Sequence, residues 1–156
     1  EEPVGVDLMR LRGVQSAFSE NNITWTDDLF FPLSRSKQTR HELYQHIYEE
    51  ISSWTALFFA SDYYAAEAAV FFSEKGVRIP EDISLVGFDD NFYARMVQPS
   101  LTTMRQDVKK KGQLAIKRLL KLIKDEEVQD INTRFEPELI IRNSTKKREE
   151  NYGKNN

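Results

Sequence analysis

A short apolar run near the middle of the chain constrains the fold more than any other stretch. Residues 83–88 read ISLVGF, and Asp89 and Asp90 follow directly. A mostly apolar run of this length, with Pro80 upstream and Gly87 near its end, is typical of a buried strand in a parallel sheet. In open α/β sheets, ligands bind outside the carboxyl ends of the strands. The sequence therefore predicts that Asp89 lies where a polar ligand would be held.

Helical and extended patterns alternate along the chain, which predicts an α/β fold with a parallel sheet flanked by helices. Extended segments are predicted at 29–31, 56–60, 83–88 and 101–104, with two more pieces around Pro137 in 135–142. Helices are predicted over 7–20, from 36 or 39 to 53, over 63–75, over 91–97, and from 107 or 108 to 124. Asp7 is the expected N-cap of the first helix.

Composition places limits on the class of protein. The chain has 156 residues, 40% of them hydrophobic and 30% charged, which is typical of one globular domain. Its net charge of −3 gives no indication of a nucleic-acid-binding surface. It has no Cys, which excludes disulfides and thiolate metal sites and fits a cytoplasmic location. The apolar runs are too short to span a membrane, so no membrane association is expected.

Patterns that would indicate an enzyme are missing from the sequence. His41 and His46 are five residues apart, off the i,i+4 spacing of a helical metal pair. Asp89 and Asp90 are adjacent and should point in different directions, which makes them a poor acid–base pair. The sequence has no glycine-rich phosphate loop or nucleophile elbow. We therefore expect no catalytic residues, no metal and no cofactor.

Two segments carry a resemblance to a known family. The segment GVRIPEDISLVGFDD at 76–90, followed by PSLTTMRQ at 99–106, resembles the effector-binding core of LacI/GalR-family bacterial transcription regulators. The resemblance covers roughly 8–145. The ending FEPELIIRNS at 135–144 is similar to the arabinose-repressor branch, which joins a GntR-type winged-helix DNA-binding domain to a LacI-like core. The resemblance implies part of a two-lobed, type I periplasmic-binding-protein-like domain.

The resemblance also implies effector-binding residues. Arg10 and Gly13 match an Arg-x-x-Gly-aromatic pattern, with Val14 replacing the aromatic, whose arginine reaches into the effector cleft. A planar guanidinium suits this role because it donates paired hydrogen bonds. Asp89 and Arg10 would together hold ligand hydroxyls. The alternative for Arg10 is a solvated helix residue.

Three further residues are second-rank candidates. Ser61 and Asp62 match a position, often asparagine-aspartate, that contacts the effector from a strand end, although Asp62 could simply cap the next helix. Gln106 matches a polar residue of the crossover between lobes, and could equally be a surface glutamine. The loop at 32–37 lacks the aromatic that often stacks on the effector, and Phe31 is the nearest substitute.

The predicted helix at 107–124 has one apolar side and one basic side. The basic side could be a solvated face or could contact nucleic acid or membrane. In the family, this helix would pack on the first lobe. We expect the chain to begin inside the second lobe, so the apolar side would need a dimer partner or a repacking of 99–145.

These expectations combine into one hypothesis. Residues 1–145 would be a partial effector-binding and dimerisation domain, and 146–156 a disordered tail. The protein would be a cytoplasmic, homodimeric transcription regulator. A sugar such as arabinose would control its operator binding allosterically, through a DNA-binding domain absent from this chain. The alternative is an extracytoplasmic sugar-binding protein of a transporter.

Overall fold

The computed structural model describes residues 5–129 and 131–147. Five α-helices and four strands are found in these residues, in the order α1 (Gly5–Glu20), α2 (Lys37–Glu49), β1 (Ala56–Phe58), α3 (Asp62–Glu74), β2 (Ser84–Asp89), α4 (Phe92–Met96), β3 (Thr102–Arg105), α5 (Val108–Ile123) and β4 (Glu138–Ile140). Two 3-10 helices, Asp27–Leu29 and Ile51–Ser53, flank α2.

The four strands form one sheet in the order β1-β2-β3-β4. β1 pairs with β2, and β2 pairs with β3, both in parallel, whereas β4 runs antiparallel to β3. The predicted fold class, a parallel sheet flanked by helices, is thus confirmed, and β4 adds an antiparallel strand at one edge. The three parallel strands end at the same edge of the sheet, which brings the residues that follow them together.

Local sequence signals explain where the helices begin and end. Ser36, Ser61 and Asp107 occupy N-cap positions, and their side-chain oxygens accept backbone N–H groups of α2, α3 and α5. After α3, Gly76 adopts a φ of +81°, the left-handed conformation that glycine allows at a helix end. Asp7 is not an N-cap as predicted, because α1 already begins at Gly5.

The core lies between α2, α3 and one face of the sheet. Tyr44 from α2, Phe72 from α3 and Leu85 from β2 are completely buried there. α3 contributes most of the helical core because four of its alanines pack closely against neighbouring elements. Side chains of this size let the helix approach the strands without leaving voids.

Strands β1 and β2 are buried on one face only, contrary to the prediction of two-sided burial, whereas Thr102 and Thr103 of β3 are both buried. Leu57 is buried while its neighbours Ala56 and Phe58 are exposed. In β2, Leu85 and Gly87 are buried, and Val86 between them is only half-buried. The continuous apolar runs had indicated two covered faces, but α3 covers just one of them.

Of two other predicted extended segments, one is wrong and the other forms only in part. Residues 29–31 form no strand, because Leu29 completes a 3-10 helix and Phe31 packs edge-on against Trp54, 5.5 Å between ring centres. Around Pro137, Glu138–Ile140 is the only strand that the described residues form. The apolar character of 29–31 thus supports the core without any backbone pairing.

The two long flanking helices contribute little to the core. α1 and α5 contain no buried residue, although apolar residues recur along one side of each. Val108, Ile116 and Ile123 of α5 are all strongly exposed. The predicted need of α5 for a further packing partner stays a prediction.

Within the described residues, no helix is both long and apolar enough to span a membrane. Most of the predicted disordered tail, 148–156, lies outside the described residues.

Candidate functional site

The carboxyl edge of the sheet gathers most of the predicted site. β2 ends at Asp89 and β3 ends at Arg105, and these two residues are paired in the register of the parallel strands. Asp89 and the following Asp90 have φ angles of +105° and +52°. Such values are uncommon for residues other than glycine, so the backbone turns sharply at this point. The turn directs the two carboxylates to different surroundings.

The Asp89 carboxylate is held between a helix and a loop. Nη2 of Arg10 donates to Oδ1 of Asp89 at 3.3 Å, and Nε2 of Gln106 donates to the same oxygen at 2.9 Å. Lys111 in turn donates from Nζ to Oε1 of Gln106. Among the described residues, Oδ2 of Asp89 has no hydrogen-bond partner, and the side chain is 36% exposed. One carboxylate oxygen is therefore fixed and the other is open.

Arg10 reaches this edge from α1. Its guanidinium stacks on the ring of Phe88, 4.2 Å from the ring centre, and its Nη1 donates to the carbonyl of Ala60 at 2.7 Å. Nη1 also approaches Asp7 at 3.3 Å. The aromatic ring and the carbonyl fix the plane of the guanidinium, and only 16% of the side chain is exposed. The alternative interpretation of Arg10 as a solvated helix residue therefore does not fit the structure.

Ser61 and Asp62 occupy the start of α3 beside this edge. Oγ of Ser61 accepts the backbone N–H of Tyr63 at 3.3 Å, so Ser61 is the helix cap. The Asp62 side chain is completely buried and accepts from Thr103 Oγ1 at 2.6 Å and from the Asn91 N–H at 2.8 Å. Asp62 therefore lies beneath the site surface, whereas Ser61 stays partly exposed on it.

Asp90 lies on the other side of the turn, in an arginine cluster. Its carboxylate accepts from Arg105 Nε at 2.7 Å and Arg95 Nη2 at 3.0 Å, and also from Nη2 of Arg142. Only 1% of the Asp90 side chain is exposed. These three arginines come from different elements, so the cluster joins β3, α4 and the segment after β4. We call these four residues the Asp90 cluster.

The pKa values of two buried carboxyl groups in this region are shifted in opposite directions. Burial raises the pKa of Asp62 above its usual range, and the hydrogen bonds from Thr103 and Asn91 offset only part of that rise. Burial would also raise the pKa of Asp90, but hydrogen bonds from Arg105, Arg142 and Arg95 outweigh it and lower the pKa to about 2. Asp90 is therefore held as a carboxylate by cations, while Asp62 has no such partner among the described residues.

Of the predicted site residues, the structure brings together Arg10, Asp89 and Gln106, with Ser61 nearby and Asp62 below them. Phe31 packs on Trp54 in the core instead of standing free for a ligand. Sequence reasoning missed Phe88 as the platform under Arg10. The signal was available, because Phe88 immediately precedes Asp89 at the end of a predicted strand.

Other surfaces are less suited to a polar ligand. Two open grooves of about 560 and 420 Å³ run along α5 and are lined mainly by lysines and aliphatic residues. None of the five predicted site residues lines them. Within the described residues, no group of three or more His, Cys, Asp or Glu could hold a metal ion. The absence of a metal or cofactor stays a prediction.

The sequence and the fold of this chain resemble those of known proteins. A sequence model of the periplasmic binding protein-like domain matches residues 4–145. The HTH-type transcriptional repressor PurR of Haemophilus influenzae (strain Rd) is 35% identical over 140 residues, which cover 88% of this chain and 42% of PurR. The transcription regulator CcpA of Lactococcus lactis superposes with a TM-score of 0.78 at 27% identity, covering 90% of this chain and 52% of CcpA.

The Lac repressor bound to ONPG in its repressed state superposes with a TM-score of 0.71 at 28% identity, covering 89% of this chain and 42% of that one. The fold and these relatives define the class as a periplasmic-binding-protein-like effector-binding domain. The chain belongs to the periplasmic binding protein-like domain family, in the form that LacI/GalR transcription regulators use to bind effectors. It spans about two fifths of the length of the curated relatives that it matches.

Proposed function

We propose that this chain is the effector-binding part of a cytoplasmic transcription regulator and that it binds a sugar at Arg10, Asp89 and Gln106. The observation that carries the proposal is the half-exposed Asp89 carboxylate, fixed through Oδ1 and open at Oδ2. A carboxylate accepts hydrogen bonds only, so its open oxygen suits a ligand hydroxyl. Its position outside a strand end agrees with the general location of ligands in such sheets.

The neighbouring groups suit a polyhydroxy ligand. Arg10 supplies donors in a fixed plane, and Gln106 offers both a donor and an acceptor. Phe88 and the exposed Phe58 pack edge-to-face with 6.4 Å between ring centres, and provide an apolar surface beside these groups. An apolar floor with a few fixed polar groups is the usual arrangement of small-molecule sites. The Lac repressor bound to ONPG supports a ligand of this kind, and arabinose is the specific sugar we propose.

The proposed regulation is allosteric. Ligand binding between two lobes would favour one relative orientation of the lobes, because a ligand shifts an equilibrium toward the state it binds better. In a homodimer, that shift would change the spacing of DNA-binding domains on operator DNA. The relatives PurR and CcpA are named as a repressor and a transcription regulator, which favours this function over that of a transporter protein or an enzyme.

Isothermal titration of the full-length protein with L-arabinose, D-xylose, lactose and ONPG tests the proposal. We expect at least one sugar to bind, and we expect Asp89→Ala and Arg10→Ala each to weaken that binding about tenfold or more, since each removes a charge-assisted hydrogen bond. Asp82→Ala is the matched control, because Asp82 pairs with Arg78 in the loop before β2. Unchanged affinity in both site variants would show that the site is assigned wrongly.

A further inference from the structure

Asp62 is a buried carboxylate with an unusual set of partners. No part of Asp62 is exposed, and no described residue forms an ion pair with its side chain. Its two oxygens instead accept a hydroxyl hydrogen bond from Thr103 and a backbone hydrogen bond from Asn91. Burying a charge costs free energy unless it is well hydrogen-bonded. An apolar residue would fill the same space at lower cost, so the carboxylate needs a specific role.

The Asp62 carboxylate occupies the space in which a side chain at position 87 would lie. A Cβ built on Gly87 would collide with Oδ1 of Asp62 and would lie 3.3 Å from the Asp62 Cα. Gly87 is paired with Thr103 in the sheet, and Thr103 is itself completely buried. The carboxylate therefore lies directly on the backbone of β2, two residues before Asp89. Only glycine at position 87 permits this close approach.

The Asp62–Thr103 pair holds two successive amides of the turn after β2. The Asn91 N–H donates to Oδ2 of Asp62 at 2.8 Å, and the Asp90 N–H donates to Oγ1 of Thr103 at 3.4 Å. The turn needs such support, since Asp89 and Asp90 both have positive φ. Backbone conformations of this kind persist only when their surroundings hold them in place.

We propose that Asp62 is a positioning residue of the effector site, and that the buried Asp62–Thr103–Gly87 arrangement keeps the Asp89 carboxylate directed at Arg10 and Gln106. Asp62 thus acts through the backbone of the turn and does not touch the ligand. This role differs both from the direct effector contact that the family resemblance implied for Asp62 and from the alternative of a helix cap. The link to a ligand rests on the proposed function, whereas the hold on the turn can be tested without any ligand.

Amide hydrogen exchange, followed by NMR on the full chain, tests the hold directly. In Asp62→Ala, the Asn91 amide should exchange at least about tenfold faster because its acceptor is lost. The Leu85 amide, which donates to the Ser144 carbonyl, should keep its rate. Asp62→Asn should restore protection of Asn91, since an amide oxygen also accepts. Asp107→Ala is the control, because it removes a carboxylate that accepts the Lys110 N–H and leaves this turn untouched.

Thr103→Val gives a second route if Asp62→Ala does not fold. It keeps the side-chain volume but removes the hydroxyl, so the Asp90 amide should lose protection about tenfold while Leu85 does not.

Gly87→Ala provides a third test of the arrangement. Alone it should destabilise the protein strongly, but in the Asp62→Ala background its effect should be much smaller, because the colliding carboxylate is gone. Additive effects of the two substitutions would contradict the arrangement.

The ligand measurement separates this proposal from the proposed function. If a sugar binds, Asp62→Ala should weaken binding about tenfold while Asp62→Asn retains most of it. Selective exchange at Asn91 with no sugar bound by any variant would leave the turn assigned and overturn the sugar site. Unchanged exchange at Asn91 and Asp90, or equal acceleration at Leu85, would overturn the positioning role itself.

Discussion

The two neighbouring carboxylates of the turn after β2 differ sharply in exposure and in pairing. Asp89 is 36% exposed and is held by Arg10 and Gln106 through one oxygen. Asp90 is 1% exposed and is enclosed by Arg95, Arg105 and Arg142. One residue along the chain thus separates a carboxylate used for internal structure from one that faces outward. The fully paired Asp90 carboxylate supports the internal structure, while the partly paired Asp89 carboxylate is the one that we propose to bind the ligand.

The arginine side joins distant parts of the chain. Arg142 donates to Asp90 and also to the carbonyl of Leu101 at 2.8 Å. Two residues later, Ser144 is completely buried, accepts the Thr102 N–H at 2.8 Å, and donates from Oγ to the Leu85 carbonyl. The segment after β4 therefore adds hydrogen bonds that link β2 to the neighbouring β3. These bonds link the integrity of the sheet to the Asp90 cluster.

Asp90→Ala should have the largest effect on stability. It leaves the guanidinium of Arg142, a mostly buried group, without its carboxylate, and breaking such a pair costs about 3–5 kcal/mol. Urea denaturation measures the free energy of unfolding. Asp82→Ala, at an exposed pair with Arg78, is the control and should cost far less. Equal losses in the two variants would mean that burial of Asp90 does not matter.

Acid should weaken the Asp90 side of the turn. The folded pKa of Asp90 is about 2, below the usual value near 3.8 that applies to the unfolded chain. A carboxyl group with a lowered folded pKa stabilises the protein above its unfolded pKa, and that contribution is lost as pH falls toward 2. The loss amounts to roughly 2 kcal/mol. Asp62 acts in the opposite direction, because its raised pKa makes ionisation unfavourable in the folded state.

Comparing the unaltered protein with Asp90→Asn over the range from about pH 5 to about pH 2 isolates this contribution. The variant should be less stable at neutral pH, and its stability should fall less steeply on acidification. Asp82 and Glu67, whose pKa values are also lowered, should contribute equally to both curves. Parallel curves for the two proteins would show that Asp90 is not the group responsible.

The arginines of the Asp90 cluster should rank by exposure. Arg142→Ala removes a mostly buried donor that bonds both Asp90 and the Leu101 carbonyl, and should cost about 2 kcal/mol. Arg95 is 61% exposed, so Arg95→Ala should cost at most about 1 kcal/mol. Thermal or urea unfolding of the two variants gives the order of their stability losses. A larger loss in Arg95→Ala would mean that α4, and not the segment after β4, contributes most to the stability of the cluster.

Much of the Asp89 side could be predicted from the sequence. The strand 83–88 and the place of Asp89 at its carboxyl end follow from the apolar run, while Arg10 and Gln106 came from the family resemblance. The Asp90 cluster could not be predicted, because Arg142 is 52 residues from Asp90 and no local pattern links them. The strand predicted at residues 29–31 was wrong for a related reason. Three apolar residues in a row do not reveal whether they pair in a strand or only pack their side chains in the core.

The burial of Asp62 could not be predicted from the sequence for the same reason. A residue at the start of a helix is usually a solvated cap, and in this chain Ser61 takes that role. Only the contact with Gly87, 25 positions away, shows that the carboxylate points down into the sheet. Spacing along the chain predicts elements well, but it does not predict which polar groups meet across them.

Asp89→Asn should have the smallest effect on stability and so gives the sharpest contrast with Asp90. Asn keeps the shape and an oxygen acceptor, while the lost pair with Arg10 is partly exposed and contributes at most about 1 kcal/mol. Sugar affinity should nevertheless fall clearly in the same variant, because the open oxygen loses its charge. Urea denaturation and isothermal titration, performed on one preparation, measure both quantities. A stability loss as large as that of Asp90→Ala would mean that Asp89 also belongs to the internal structure, and the functional division of the turn would then be wrong.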